Sequence, residues 1–193
     1  LYYMKPLASF SEINENHDWK WLGLDFSNAK LIGSEGFTDP QKIRDRHFNE
    51  WNNLILKESQ KYNLEKAFRA NFILAQDYAF YDSNMQPKIN SLVINKSHEL
   101  DEDDIRAIVN NYTINDNAEI ALAFIIESFD KRTVQATIWV TVIDAKTNKI
   151  ILTERMTGKP RGFGFKNYWA GAIYDVIKQI TKTKYKEWEW RHL

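Results

Sequence analysis

The side chains best placed to do chemistry lie in one short run, Gly158-Lys159-Pro160-Arg161-Gly162-Phe163-Gly164, with Lys166 just beyond it. The run sits between a segment that reads as a strand and one that reads as a helix. Backbone N–H groups at such a joint can face an anion at the helix N-terminus. Lys159, Arg161 and Lys166 would add positive charge there. The GxxxxGKS/T spacing of a phosphate loop is missing, and Gly162-x-Gly164 lacks the third glycine of a dinucleotide fingerprint. A plainer reading is a tight connection whose glycines take positive φ, with Phe163 and Phe165 tucked against the core edge. A peptide or protein contact through Arg161 and Phe163 is favoured over the anion site. Lys159, Arg161, Phe163 and Lys166 are therefore the candidate ligand- or partner-binding residues.

Other residue types offer weaker patterns. Trp19 and Trp21 flank one residue and would project from the same face of a strand, while Trp139 lies on the mixed polar face of its strand. Trp188 and Trp190 stand near the end. Exposed, Trp19, Trp21 and Trp139 would make a platform for a sugar ring, although core or interface packing is the default for tryptophan. The histidines, His17, His47, His98 and His192, share no metal-ligand spacing. The acidic run Asp101 to Asp104 lacks the glycine and the distal bidentate Glu of a calcium loop, with Arg106 at the sixth position and Tyr112 at the twelfth; it reads as a charged helix start. Pairs such as Glu35 with Asp39, or Glu50 with Glu58, would need convergence in space to act as acid and base. Ser34 lacks the GxSxG spacing of a nucleophile elbow and reads as a turn. No catalytic residue, metal or cofactor is expected.

Composition narrows the class further. With 193 residues, 44% hydrophobic, the chain can bury one substantial core. Charged residues make up 27% at a formal net charge of +0, which argues against nucleic acid as a partner and against bulk attraction to anionic membranes. Aromatics reach 14%, including seven Trp, enough for both a core and a binding surface. The absence of cysteine excludes disulfides, thiol catalysis and Cys-based zinc sites. No stretch approaches the roughly 20 apolar residues of a membrane span. The chain starts at Leu1 rather than Met, and a targeting segment removed upstream of it is expected.

The elements that must position these residues follow from periodicity. Residues 21–32 read as one strand, or two with a kink at Ser27-Asn28. Asp39-Pro40 reads as a capped helix start, with Phe48, Trp51, Leu54 and Ile55 on one stripe and the end near Tyr62. A strand is favoured over residues 70–80, another over 89–94, and a short helix over 102–111. Residues 118–129 are almost continuously apolar, as in a strand buried on both faces. Residues 134–142 alternate, a turn follows at Thr147-Asn148, and residues 150–155 return. Short loops between these three strands imply an antiparallel meander. A long helix starts near Lys166, with Trp169, Ala172, Ile173, Val176, Ile177 and Ile180 at three-and-four spacing and Tyr185 and Trp188 roughly in line. The expected fold is α/β in the α+β sense: a mixed, largely antiparallel sheet with a C-terminal meander, packed against two long amphipathic helices. One domain over residues 1–193 is expected, with 1–19 an extended arm and 186–193 a tail.

The segments Glu127-Ser128-Phe129-Asp130 and Ile143-Asp144-Ala145-Lys146-Thr147-Asn148-Lys149-Ile150-Ile151-Leu152 resemble a pattern of bacterial envelope proteins, in which a strand ends V-I-D-A-x-T-G-K-V-L and a further strand, a glycine and a C-terminal helix follow. The curli-secretion lipoproteins, the TolB N-terminal domain and the lipoprotein activators of penicillin-binding proteins share it. The resemblance covers residues 118–180, and Asn148 stands where the pattern usually has glycine. The chain also resembles uncharacterised secreted proteins of the Bacteroides group through Leu31-Ile32-Gly33 and the Gly158 to Gly164 run. These resemblances imply a periplasmic or outer-membrane-associated location and a non-catalytic role binding another envelope protein or a cell-wall component. The alternatives are a carbohydrate or small-ligand module using tryptophans, or an enzyme with an unrecognised site.

Overall fold

The computed structural model describes residues 10, 13, 17–73, 79–114 and 117–191. Most of the arm expected over 1–19, residues 74–78 of the strand favoured near 70–80, Asn115-Asp116 and His192 lie outside them.

Seven strands form one mixed sheet. They are β1 (Trp19–Asp25), β2 (Lys30–Ile32), β3 (Phe72–Ile73), β4 (Val93–Ile94), β5 (Ile120–Asp130), β6 (Gln135–Asp144) and β7 (Lys149–Gly158). The expected meander is present: β5 pairs antiparallel with β6 from Ile120↔Asp144 to Asp130↔Gln135, and β6 pairs with β7 from Asp144↔Lys149 to Ala136↔Gly158. Asn148 closes the second hairpin at φ 55, a left-handed conformation that asparagine tolerates in place of glycine. Every residue of β5 is buried, as its apolar run requires. The other edge of β5 takes two parallel strands in succession, β1 against Ile120–Ile125 and β2 against Ser128–Asp130. The chain therefore leaves the sheet at Phe26 and re-enters at Lys30, next to the kink that Ser27-Asn28 predicts.

On its other edge β1 pairs with β3 only at Trp19 and Lys20, and the buried backbone beyond cannot remain unpaired. Side chains supply the partners. Asn52 accepts from Leu24 N–H at 2.8 Å and donates to Leu24 C=O at 3.1 Å, and Asn84 accepts from Phe26 N–H at 2.7 Å and donates to Leu24 C=O at 2.9 Å. Both amides are fully buried. A bulge at Gly23, with φ 115, lets Trp19 and Trp21 share a sheet face with Leu24 and Phe26 rather than with Gly23 and Asp25.

Two long helices cover that face. The first spans residues 40–57 as α1 (Pro40–Lys42), a π segment (Ile43–His47) and α2 (Phe48–Lys57). The second spans residues 165–191 as α7 (Phe165–Gln179), a π segment (Ile180–Lys184) and α8 (Tyr185–Arg191). Each π segment holds one extra residue per turn, and the buried stripe takes a five-residue step there, from Ile43 to Phe48 and from Ile180 to Tyr185. Short helices α3 (Leu64–Phe68), α4 (Tyr81–Asn84) and α5 (Ile89–Leu92) follow the first long helix. The opposite sheet face is covered by α6 (Glu102–Asn110), with Ile105 and Val109 packed on Leu22, Ala121, Ala123 and Ile125.

Several expectations are corrected. The first long helix ends at Lys57 rather than Tyr62, because Glu58 leaves helical geometry. Residues 89–92 form a helical turn, and only Val93–Ile94 joins the sheet. Residues 186–191 are helical rather than a loose tail, because Trp188 is fully buried and Phe10 packs edge-on against it at 5.8 Å. Glu154 on β7 holds this end down, accepting from Lys184 at 2.9 Å, from Trp188 Nε1, and from Arg191 at 3.2 Å. Burial opposes ionisation of Glu154, but these donors outweigh it and hold its pKa below the usual glutamate range. Trp19, Trp21 and Trp139 are 1%, 1% and 6% exposed, so none can stack on a sugar. Trp19 and Trp21 sit at the centre of the larger core. Trp139 donates from Nε1 to Glu127 at 2.9 Å.

Glu127 occupies the bulge of β5 on the α6 side. Its carboxylate also accepts from Arg155 at 2.6 and 3.0 Å and from Leu100 N–H at 3.2 Å. Burial raises its pKa, and the Arg155, Trp139 and Leu100 hydrogen bonds outweigh that and lower it below the ordinary 4.5. A depressed carboxyl pKa contributes stability above the unfolded-state value, and the contribution disappears as pH falls below it. Glu127→Ala is therefore expected to lower unfolding free energy at pH 7 by about 2–3 kcal/mol, reduced from a fully buried pair because Arg155 reaches solvent. Urea denaturation at pH 7 and pH 3 checks this: the variant and the parent should differ at pH 7 and differ less at pH 3.

Candidate partner-binding site

The joint between β7 and α7 is built by close backbone contact. A Cβ placed on Gly158 would lie 2.1 Å from the Ala172 carbonyl oxygen, and one on Gly171 would lie 2.0 Å from that of Arg161. The end of β7 and the loop after it therefore rest on the backbone of α7, at two points where only glycine fits. Gly162, at φ 135, crosses close to the Asn167 carbonyl. Lys159 N–H donates to Asp175 at 3.0 Å, and Arg161 N–H donates to the Tyr168 carbonyl at 3.1 Å. Pro160, which has no N–H to satisfy, is buried beneath the loop.

These contacts bear on the readings of the joint. An anion cradle needs free N–H groups, and those of Lys159 and Arg161 are turned inward to α7. The plainer reading is met for Phe165, whose ring packs against His47, Trp51 and Phe37 at 5.1, 6.0 and 6.0 Å. It fails for Phe163, which is 96% exposed. Lys166 is half-buried at the first turn of α7, and its carbonyl accepts from Trp51 Nε1 at 2.9 Å. Lys159 and Arg161 are exposed.

The charge pattern around Arg161 differs from the rest of the chain. Arg44, Arg46, Arg69, Arg106, Arg132, Arg155 and Arg191 each lie within ion-pair distance of a carboxylate. Arg161 has none among the described residues. Nearby, Lys131 rests its ammonium over the Tyr168 ring at 4.5 Å. At the same end of the sheet, Val134 closes the β5–β6 hairpin at φ 55 with 47% of its surface exposed. A β-branched residue in that conformation is strained. The aromatic surface sought in Trp19, Trp21 and Trp139 is found instead at Phe163 and, separately, at Trp190, which is 77% exposed.

The remaining sequence candidates are absorbed by local structure. Asp101 and Asp104 form a reciprocal capping box at the start of α6, at 2.9 and 3.0 Å. His17 pairs with Glu119 at 2.6 Å and His47 with Glu50 at 2.7 Å. Burial raises the Glu50 pKa, and Arg46 and His47 outweigh it. Asp39 caps α1 through Lys42 N–H at 3.0 Å. Among the described residues no group of three or more His, Asp or Glu could hold a metal ion, and no helix is long and apolar enough to cross a membrane.

The architecture defines an α+β protein with a mixed sheet and a terminal antiparallel meander. No protein family matches the chain, and no curated protein matches it. Among solved structures it is similar to the LpoB C-terminal domain from Salmonella enterica, with a TM-score of 0.37 and 10% sequence identity over 76% of this chain and 85% of that one. A likeness so remote transfers no residue role and no partner.

The Gly171 contact is testable. Alanine normally favours a helix interior over glycine by about 1 kcal/mol. Here the added methyl would strike the Arg161 carbonyl, and the sign should reverse, with Gly171→Ala less stable by about 1–3 kcal/mol. Thermal melting checks the direction, and faster exchange of the Arg161 amide hydrogen would place the damage at the joint.

Proposed function

We propose that this chain is a non-catalytic binding protein of the bacterial envelope that docks a protein partner through the β7–α7 joint, with Phe163 as the apolar anchor and Arg161 as its charged neighbour. The observation that carries the reading is the pairing of a 96% exposed phenylalanine with the arginine that has no carboxylate partner among the described residues, on a loop whose backbone is fixed to α7. A rigid loop presents its side chains without a large ordering cost on binding, and aromatic and arginine side chains are the commonest binding hot spots. The uncompensated cations Lys159 and Arg161 suit an acidic patch on the partner. The envelope location rests on the resemblance of residues 143–152 to the V-I-D-A pattern of envelope proteins.

The test compares the full chain with Phe163→Ala and Arg161→Glu variants in cross-linking capture from envelope extract of the native host, followed by direct binding of the captured protein. Each side chain is exposed, so melting temperatures should match the parent. Affinity for the captured partner should fall at least tenfold in each variant, consistent with hot-spot losses of about 2 kcal/mol. Equal capture of the same proteins by parent and variants overturns the reading.

A further inference from the structure

The opposite sheet face carries a second site with a different chemistry. Where the chain leaves the sheet after β1, a cavity of about 520 Å³ opens between the end of β1, α4 and α6. Leu22 and Asp25 form its floor. Phe80 and Tyr112 stand on its walls with their rings 4.8 Å apart, Ile108 adds apolar surface, and Ala107 lies at the exposed rim. The position, beyond the carboxyl end of a strand parallel to its neighbour and beside a break in the sheet edge, is one where α/β proteins place ligands.

The charge of this cavity is one-sided. Among the described residues its lining includes Asp25, Asp82 and Asp104 but no Lys, Arg or His. Asp25 is 1% exposed and makes no ion pair among the described residues. Among the described residues its oxygens accept from neutral donors: Ser27 N–H at 2.9 Å, Ser27 Oγ at 2.6 Å and Tyr112 OH at 2.5 Å. Burial, with the charge of Asp25 adding to it, pushes the Tyr112 hydroxyl well above its ordinary pKa, so it stays a donor to Asp25. Buried carboxylates are ordinarily paired with a cation or a metal. Here the lining joins aromatic and apolar side chains, Phe80, Tyr112, Leu100 and Ile108, to neutral polar ones such as Ser83 and Asn111, a mixture that suits an amphipathic organic cation.

We propose that this cavity binds a small amphipathic organic cation, an amine carried on an apolar or aromatic body. The body lies against Phe80 and Ile108, and the ammonium faces the exposed carboxylates of Asp82 and Asp104, with the buried charge of Asp25 adding to their attraction. The site is separate from the β7–α7 joint and does not depend on it.

Calorimetric titration of the full chain with phenethylamine and with 2-phenylethanol, which shares the apolar body and lacks the charge, tests the proposal. The amine should bind at least tenfold more tightly than the alcohol. Ala107→Trp fills the cavity from an exposed helix position and leaves the Asp25 hydrogen bonds untouched. It should weaken amine binding at least tenfold with the melting temperature unchanged. Asp25→Asn should produce a similar loss; if that buried substitution fails to fold, Ala107→Trp still decides. Equal affinity for amine and alcohol, no amine binding at millimolar concentration, or full amine affinity in the Ala107→Trp variant overturns the proposal.

Discussion

The central strand β5 is buried along its whole length, yet the edge it offers to β1 and β2 is interrupted between Asp25 and Lys30. Buried polar groups there, and along the outer edge of β1 beyond its short pairing with β3, need partners, because each one left unpaired costs on the order of 1–3 kcal/mol. Much of the surrounding architecture answers this requirement. Asn52 from α2 and Asn84 from α4 replace a missing neighbouring strand at Leu24 and Phe26. Glu127, at the facing bulge of β5, gathers Trp139, Arg155 and Leu100 into one hydrogen-bonded cluster. The loop before α6 is thereby tied to the meander, and α2 and α4 to β1.

The same requirement separates the two faces of the sheet. On the face under the long helices, aromatic rings fill the space: Phe26 stacks on Phe48 at 4.1 Å, and Phe129 on Trp169 at 4.7 Å. This packing holds α7 against β7 so closely that Gly158 and Gly171 meet carbonyl oxygens directly. The rigid joint with its projecting Phe163 follows from that contact. On the other face the cover is thinner, supplied chiefly by α6, and the break in the sheet edge leaves a cavity rather than a filled core. The surface proposed for a partner and the cavity proposed for an amine therefore arise from opposite sides of one sheet and from different degrees of packing.

How far the sequence could be read depended on the range of the interactions involved. The meander was legible because Val134 to Val142 alternates and residues 118–129 are continuously apolar, and both patterns report local burial. The stripe of α7 was legible to Ile180. The five-residue step to Tyr185 was visible too, but only the structure shows that a π segment absorbs it and that Trp188 is core. The Gly23 bulge inverts the simple alternation of β1, which is why Trp21 and Leu24 share a face that strict period two assigns to different sides. The pairing of Asp25 with Tyr112 spans 87 residues and left no local pattern to find.

By itself the sequence determined the two long helices, the antiparallel order of β5, β6 and β7, the cap at Asp39, the charged start of α6 and the glycines of the final joint. These depend on neighbours within a turn or a hairpin, where spacing and side-chain type suffice. The tertiary structure alone decided that Trp19, Trp21 and Trp139 are core while Phe163 stands in solvent. It also decided that Arg161, unlike every other arginine, has no carboxylate partner among the described residues, and that three aspartates converge on one cavity. Exposure and convergence depend on which distant surfaces meet, and spacing along the chain does not report that.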